Sequence, residues 1–221
     1  MSDIDTARTA MSVTAPHESD RPRPSDEPPP SEHLRPFEQL GLRDAENAGG
    51  KGANLGELVT AGLPVPPGFV LLRECYRSSM AAAGVADELA ELHRQALSAA
   101  DDPDELGKLC ASLHELVAKA GGTEEIRAEL SAAYHALGPD VAVAVRSSAT
   151  GEDGKDASFA GMNRTLTDVV GDDDLVDAVI QCWMSLFGPR VIAYRADLSE
   201  SDGTPTGVLT LTESVPVILE V

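Results

Sequence analysis

Three short segments of this 221-residue chain carry residue types and spacings suited to holding a phosphate-rich anion. The first, Gly49 to Gly56, reads Gly49-Gly50-Lys51-Gly52 ahead of a helical pattern. Glycines before a helix let backbone N–H groups approach an anion, and the helix start adds partial positive charge. Lys51 adds a full charge in the same turn. The GxxxxGK[ST] order of a Walker A loop is absent, and a plain Gly-rich turn is the alternative. The second segment is Val145 to Asp153. Here Arg146 ends an apolar run and is followed by Ser147, Ser148 and Thr150. A guanidinium on a rigid strand end can clamp phosphate oxygens in bidentate fashion, with hydroxyls as further donors. The alternative is a polar turn whose arginine is solvated or paired with a carboxylate. The third is Ser158-Phe159-Ala160-Gly161-Met162-Asn163-Arg164-Thr165. It suits a lid over a triphosphate, with backbone N–H groups and Thr165 as donors. Its alternative is a hairpin connection with Phe159 docked in the core.

The elements that must position these segments follow from periodicity. Residues 1–36 hold seven of the fifteen prolines among Ser, Asp, Glu and Arg, and read as a disordered tail with little apolar surface to offset ordering entropy. The folded part is expected from Phe37 to Val221. Leu55, Leu58 and Val59 share one helix face, Gly62 to Gly68 stops that helix, and Phe69-Val70-Leu71-Leu72 is a short buried strand. Residues 73–138 read as helical. Leu89, Leu92 and Ala96 form one stripe. Asp102 and Pro103 open a second helix with Leu106, Leu109, Leu113, Leu116 and Val117 inward. Thr123 caps a third, with Glu124 and Glu125 in its first turn. Val141 to Val145 is a strand by its β-branched content, and Leu166 to Val170 is another. Asp174 to Phe187 is amphipathic, with Leu175, Val179, Cys182, Trp183 and Leu186 inward. Val208–Leu211 and Val217–Val221 are late strand candidates.

Composition narrows the function classes. A net charge of −20 repels nucleic acid and anionic lipid surfaces. It repels nucleotides too, so a nucleotide site must concentrate its cations locally. Cys75, Cys110 and Cys182 are widely spaced, odd in number and without a CxxC pair, against a disulfide framework or zinc site and for buried thiols in a reducing compartment. No uninterrupted apolar run approaches the roughly 18 residues of a membrane helix. A cytoplasmic protein is expected. The five histidines lie in the tail or on the expected helices, as solvated or structural groups.

Taken together, the strings GGKGANLGEL, GLPVPPGFV, VRSSATGED, SFAGM and CWMSLFGPRVIAYR resemble, in order and spacing, the ATP/AMP-binding domain of pyruvate phosphate dikinase and phosphoenolpyruvate synthase. Rifampicin phosphotransferase carries a similar domain. The resemblance spans about residues 37–196. It implies an α+β, ATP-grasp-type nucleotide-binding domain, here the N-terminal portion only, with a helical insertion. It further implies ATP with Mg²⁺ as ligands and phosphoryl transfer of the dikinase type, from ATP to a phosphohistidine carrier and on to pyruvate or another acceptor. Lys51 and Arg146 would be the catalytic cations. Gly50, Lys51, Arg146, Ser147, Ser148, Gly161 and Thr165 would line the nucleotide. No metal ligand is assigned among them.

The same resemblance marks departures. Met162 stands where many relatives have Gln. Gly207 to Val217 does not match the Val-Val-Gln strand expected to lead to the adenine hinge. The Mg²⁺ ligands, the phosphohistidine domain and the acceptor domain are therefore expected in a missing part, with a second polypeptide as a possible supplier. A truncated, non-catalytic module that binds nucleotide or a partner is the competing expectation.

Overall fold

Alternation in the strands and the 3.6-residue stripes in the helices are realised around one antiparallel sheet. The computed structural model describes residues 31–148, 164–202 and 217–221. The elements are β1 (Leu34–Pro36), α1 (Ala45–Thr60), β2 (Gly68–Leu71), α2 (Arg73–Ala82), α3 (Ala86–Ser98), α4 (Pro103–Ala120), α5 (Glu124–Leu137), β3 (Val143–Ser147), β4 (Thr165–Val169), α6 (Asp172–Met184), α7 (Pro189–Asp202) and β5 (Val217–Glu220). Single 3₁₀ turns precede α1 and join α6 to α7. The sheet order is β1-β2-β5-β3-β4, with every pairing antiparallel. The α+β class is as expected.

The helix ends are set by the residues that signalled them. Asp102 accepts from the Asp104 and Glu105 N–H groups, both at 3.1 Å, satisfying two donors left open at the start of α4. Thr123 Oγ1 accepts from the Ile126 N–H at 3.2 Å and caps α5 in the same way. The apolar stripe of α4 is buried at Leu106, Cys110, Leu113 and Val117, with Leu109 and Leu116 at its flanks.

The sheet sorts its side chains by the two-residue repeat of a strand. One face presents Phe69, Leu71, Val143, Val145, Val217 and Leu219 to the larger core, where Leu89, Leu113, Leu175 and Trp183 of α3, α4 and α6 close over it. The other face presents Val70 and Ile218 to a smaller core with Phe37, Leu40 and Ala48. α1 lies on this second face. Gly52 lets it approach, since a Cβ there would stand 3.0 Å from Val70 Cγ2. Leu55 and Val59 pack beside the smaller core, whereas Leu58, expected on the same apolar face, is 40% exposed. Small residues, rather than the leucine stripe, define the inner face of α1.

Several expected boundaries shift. Leu34–Pro36, placed in the proline-rich tail by composition, pairs with β2 at the edge of the sheet, where Pro36 removes no needed ladder donor. His33 Nδ1 lies 3.2 Å from Glu129 Oε1, tying this segment to α5. β3 starts at Val143 and runs on through Arg146 and Ser147, and β4 spans Thr165–Val169. The Val208–Leu211 candidate and the tail before Ser31 lie outside the described residues.

Among the described residues one helical stretch, Asp172–Asp197, is long and apolar enough to cross a membrane, but 56% of its apolar 18-residue window is buried inside the fold. Its apolar side chains are core groups of α6 and α7. All three cysteines are buried and free. Burial pushes the Cys182 thiol up to about 12, ahead of a smaller opposite effect from Arg164.

Candidate functional site

The site begins at a break in α1. Gly49 has φ 72° and ψ 161°, a conformation outside the helical region and open almost only to glycine. The helical path therefore restarts at Gly50, so that Gly50 and Lys51 form the first residues of a fresh helical run. Such a start carries N–H groups and partial positive charge outward. Both residues are half-buried. Lys51 is engaged in interactions of its own.

Gly49 also touches the end of β3. A Cβ at Gly49 would stand 2.7 Å from the Ser148 carbonyl oxygen and closer still to Ser148 Oγ. The Gly-rich segment and the Arg146-Ser147-Ser148 segment, nearly a hundred residues apart in the chain, thus meet at one point. Ser148 is fully buried there, and its hydroxyl has no hydrogen-bond partner among the described residues. Buried hydroxyls are costly to leave unpaired, so an orphan at this position suits a ligand or water contact.

Strand alternation decides which way the remaining residues point. Arg146 pairs in register with Ile218 of β5 and Thr165 of β4, so all three share the face covered by α1. Thr165 is exposed. Ser147 points to the other face, where its Oγ accepts from the Arg164 N–H at 3.0 Å, and its own N–H donates to the Arg164 carbonyl at 3.0 Å. That hydroxyl holds β3 to β4. Gly161 lies outside the described residues.

Sequence reasoning missed one group. Glu220, on the central strand β5, accepts from Arg146 Nη1 at 2.7 Å. Its side chain is 16% exposed and that of Arg146 42%. A pair with one partner this open contributes about 1 kcal/mol or less to the fold, so it can be reorganised by a ligand. Seventy-four residues separate the partners, beyond any local spacing rule. Among the described residues no group of three or more His, Cys, Asp or Glu side chains is arranged to hold a metal ion.

The histidines take structural or surface positions. His93 is buried under α7, its ring 5.6 Å from that of Phe187 in an edge-on arrangement. Burial, then the nearby Arg195 charge, hold it down at about 4. His135 Nε2 lies 3.2 Å from Asp172 Oδ2 at the surface.

The glycine-broken helix start set against the Arg146-Ser147-Ser148 segment lies within a chain that belongs to the pyruvate phosphate dikinase AMP/ATP-binding domain family, whose model matches residues 45–208. It is similar to a probable phosphoenolpyruvate synthase of Methanothermobacter thermautotrophicus, 41% identical over 166 residues that cover 73% of this chain and 24% of the relative. A probable phosphoenolpyruvate synthase of Archaeoglobus fulgidus is 44% identical over 156 residues, covering 69% of this chain and 20% of the relative. The phosphoenolpyruvate synthase of Pseudomonas aeruginosa is 38% identical over 168 residues, covering 72% and 21%. The chain thus spans about a quarter or less of the length of these relatives.

Proposed function

We infer that this chain binds ATP on the α1-covered face of the sheet and serves the first step of a dikinase-type phosphoryl transfer, within an ATP-grasp-type fold. The contact between Gly49 and Ser148 carries the reading, because it brings the restarted helix beside the strand that bears Arg146. Gly50 and Lys51 would meet the phosphates with N–H groups and an ammonium. Arg146 would clamp them from β3, with Ser148 and Thr165 as hydroxyl donors and Gly161 as a further nucleotide contact. Mg²⁺ bound to the triphosphate would neutralise part of its charge, which phosphoryl transfer requires. The phosphohistidine carrier and the acceptor, pyruvate or another, would come from other domains or a second polypeptide. Three buried free thiols support a cytoplasmic setting.

One observation favours a second reading, a non-catalytic nucleotide- or partner-binding module: Arg146 already has a carboxylate partner in Glu220. A thermal-shift experiment tests the phosphate site that the first reading requires. With ATP and Mg²⁺ the melting temperature of wild type rises, while Lys51→Ala and Arg146→Ala show little or no rise. Equal rises in all three proteins would remove the phosphate roles. No rise in wild type would leave only a partner-binding module.

A further inference from the structure

We propose that Glu220 is a specificity-determining residue of this site, an internal anion that penalises phosphate ligands in proportion to their charge. The inference rests on the reading that phosphates bind at Arg146. Glu220 Oε1 sits 2.7 Å from Arg146 Nη1, so any phosphate oxygen taking the remaining guanidinium donors comes within a few ångströms of a carboxylate. The main chain that carries Glu220 is held in place, because β5 is hydrogen-bonded on both sides, with Glu220 opposite Gly68 of β2 and Ala144 of β3, so the carboxylate can turn about its own side chain but stays near the site. Neither neighbour has a side chain that carries charge, so the carboxylate's own counter-charge in the ladder is Arg146. With its side chain 16% exposed, Glu220 is only partly screened by water. The Arg146–Glu220 pair therefore presents a guanidinium fork whose charge is largely cancelled. A dianionic phosphate tolerates this. A bare triphosphate carries further negative charge and does not, unless a divalent cation travels with it.

Glu220→Gln keeps an oxygen to accept from Nη1 and removes the charge. Dissociation constants for AMP, for ATP in excess EDTA and for ATP with Mg²⁺ are measured by calorimetry on the full chain and on the variant. The variant is expected to tighten metal-free ATP by on the order of tenfold, the scale of one like-charge contact across about 6 Å in a partly screened site. AMP and Mg²⁺-ATP tighten by about threefold or less, so the preference for the chelated form shrinks. A purely positioning carboxylate would give the opposite result, weaker binding of all three. Uniform tightening, no change, or weakening in Glu220→Gln overturns the proposal while wild-type binding leaves the nucleotide reading standing. Failure of wild type to bind any of the three overturns both. Should Glu220→Gln not fold, Glu220→Ala removes the same charge and is held to the same graded outcome.

Discussion

Replacing Gly49 by alanine tests the junction on which the site depends. The residue sits at φ 72° and ψ 161°, a region that costs a non-glycine residue about 1–3 kcal/mol. The new Cβ would stand 2.7 Å from the Ser148 carbonyl oxygen, inside normal contact distance, and overpacking of this kind adds about 1–3 kcal/mol. Ser148 cannot readily yield, because Ser147 just before it is tied to Arg164 on one side and paired with Val217 on the other. A total near 3 kcal/mol corresponds to a fall in Tm of about 6–12 °C for a chain of this size. Gly107→Ala is the matching control: it lies inside α4 with nothing within 4 Å of the added Cβ, so helix propensity should raise Tm by about 2–4 °C. Differential scanning calorimetry of both variants reads the effect, and ATP-dependent stabilisation should vanish in Gly49→Ala. A Gly49→Ala protein melting within about 2 °C of wild type would refute the reasoning.

Acid sensitivity should come in part from His93. Its folded value of about 4 lies below the ordinary imidazole value of 6.5, so the unfolded chain binds the extra proton between those limits. Its contribution is intact above pH 6.5 and is lost as pH falls towards 4, by about 3 kcal/mol in all. Urea titrations across that window should show a shallower decline in His93→Leu. Asp102→Ala removes the acceptor for two N–H groups of α4 and should destabilise the chain by about 1 kcal/mol, read as a lower urea midpoint at unchanged slope.

The parts legible in the sequence were those governed by local rules. Asp102, Pro103 and Thr123 marked helix starts because capping acts within three residues, and the stripes of α4 and α6 followed from one helical period. The meeting of Gly49 with Ser148 was legible only through the family resemblance, because nothing local links segments so distant. The inner face of α1 was misread: a leucine spacing drew attention from Gly49, Gly52 and Gly56, whose three- and four-residue intervals mark close approach to a neighbour. β1 was hidden by proline-rich composition, although an edge strand tolerates proline. The Arg146–Glu220 pair and the central place of β5 depend on long-range pairing, which no window of sequence contains.

The order β1-β2-β5-β3-β4 also bears on how the molecule comes into being. On the ribosome, the β1–β2 and β3–β4 pairs are complete before β5 has been translated, and each waits with an uncovered inner edge. Loop closure over such distances is slow, and open strand edges attract other chains. The nascent protein is therefore most exposed to aggregation just before Val217 to Glu220 emerge, and the same four residues that seal the sheet bring Glu220 to Arg146.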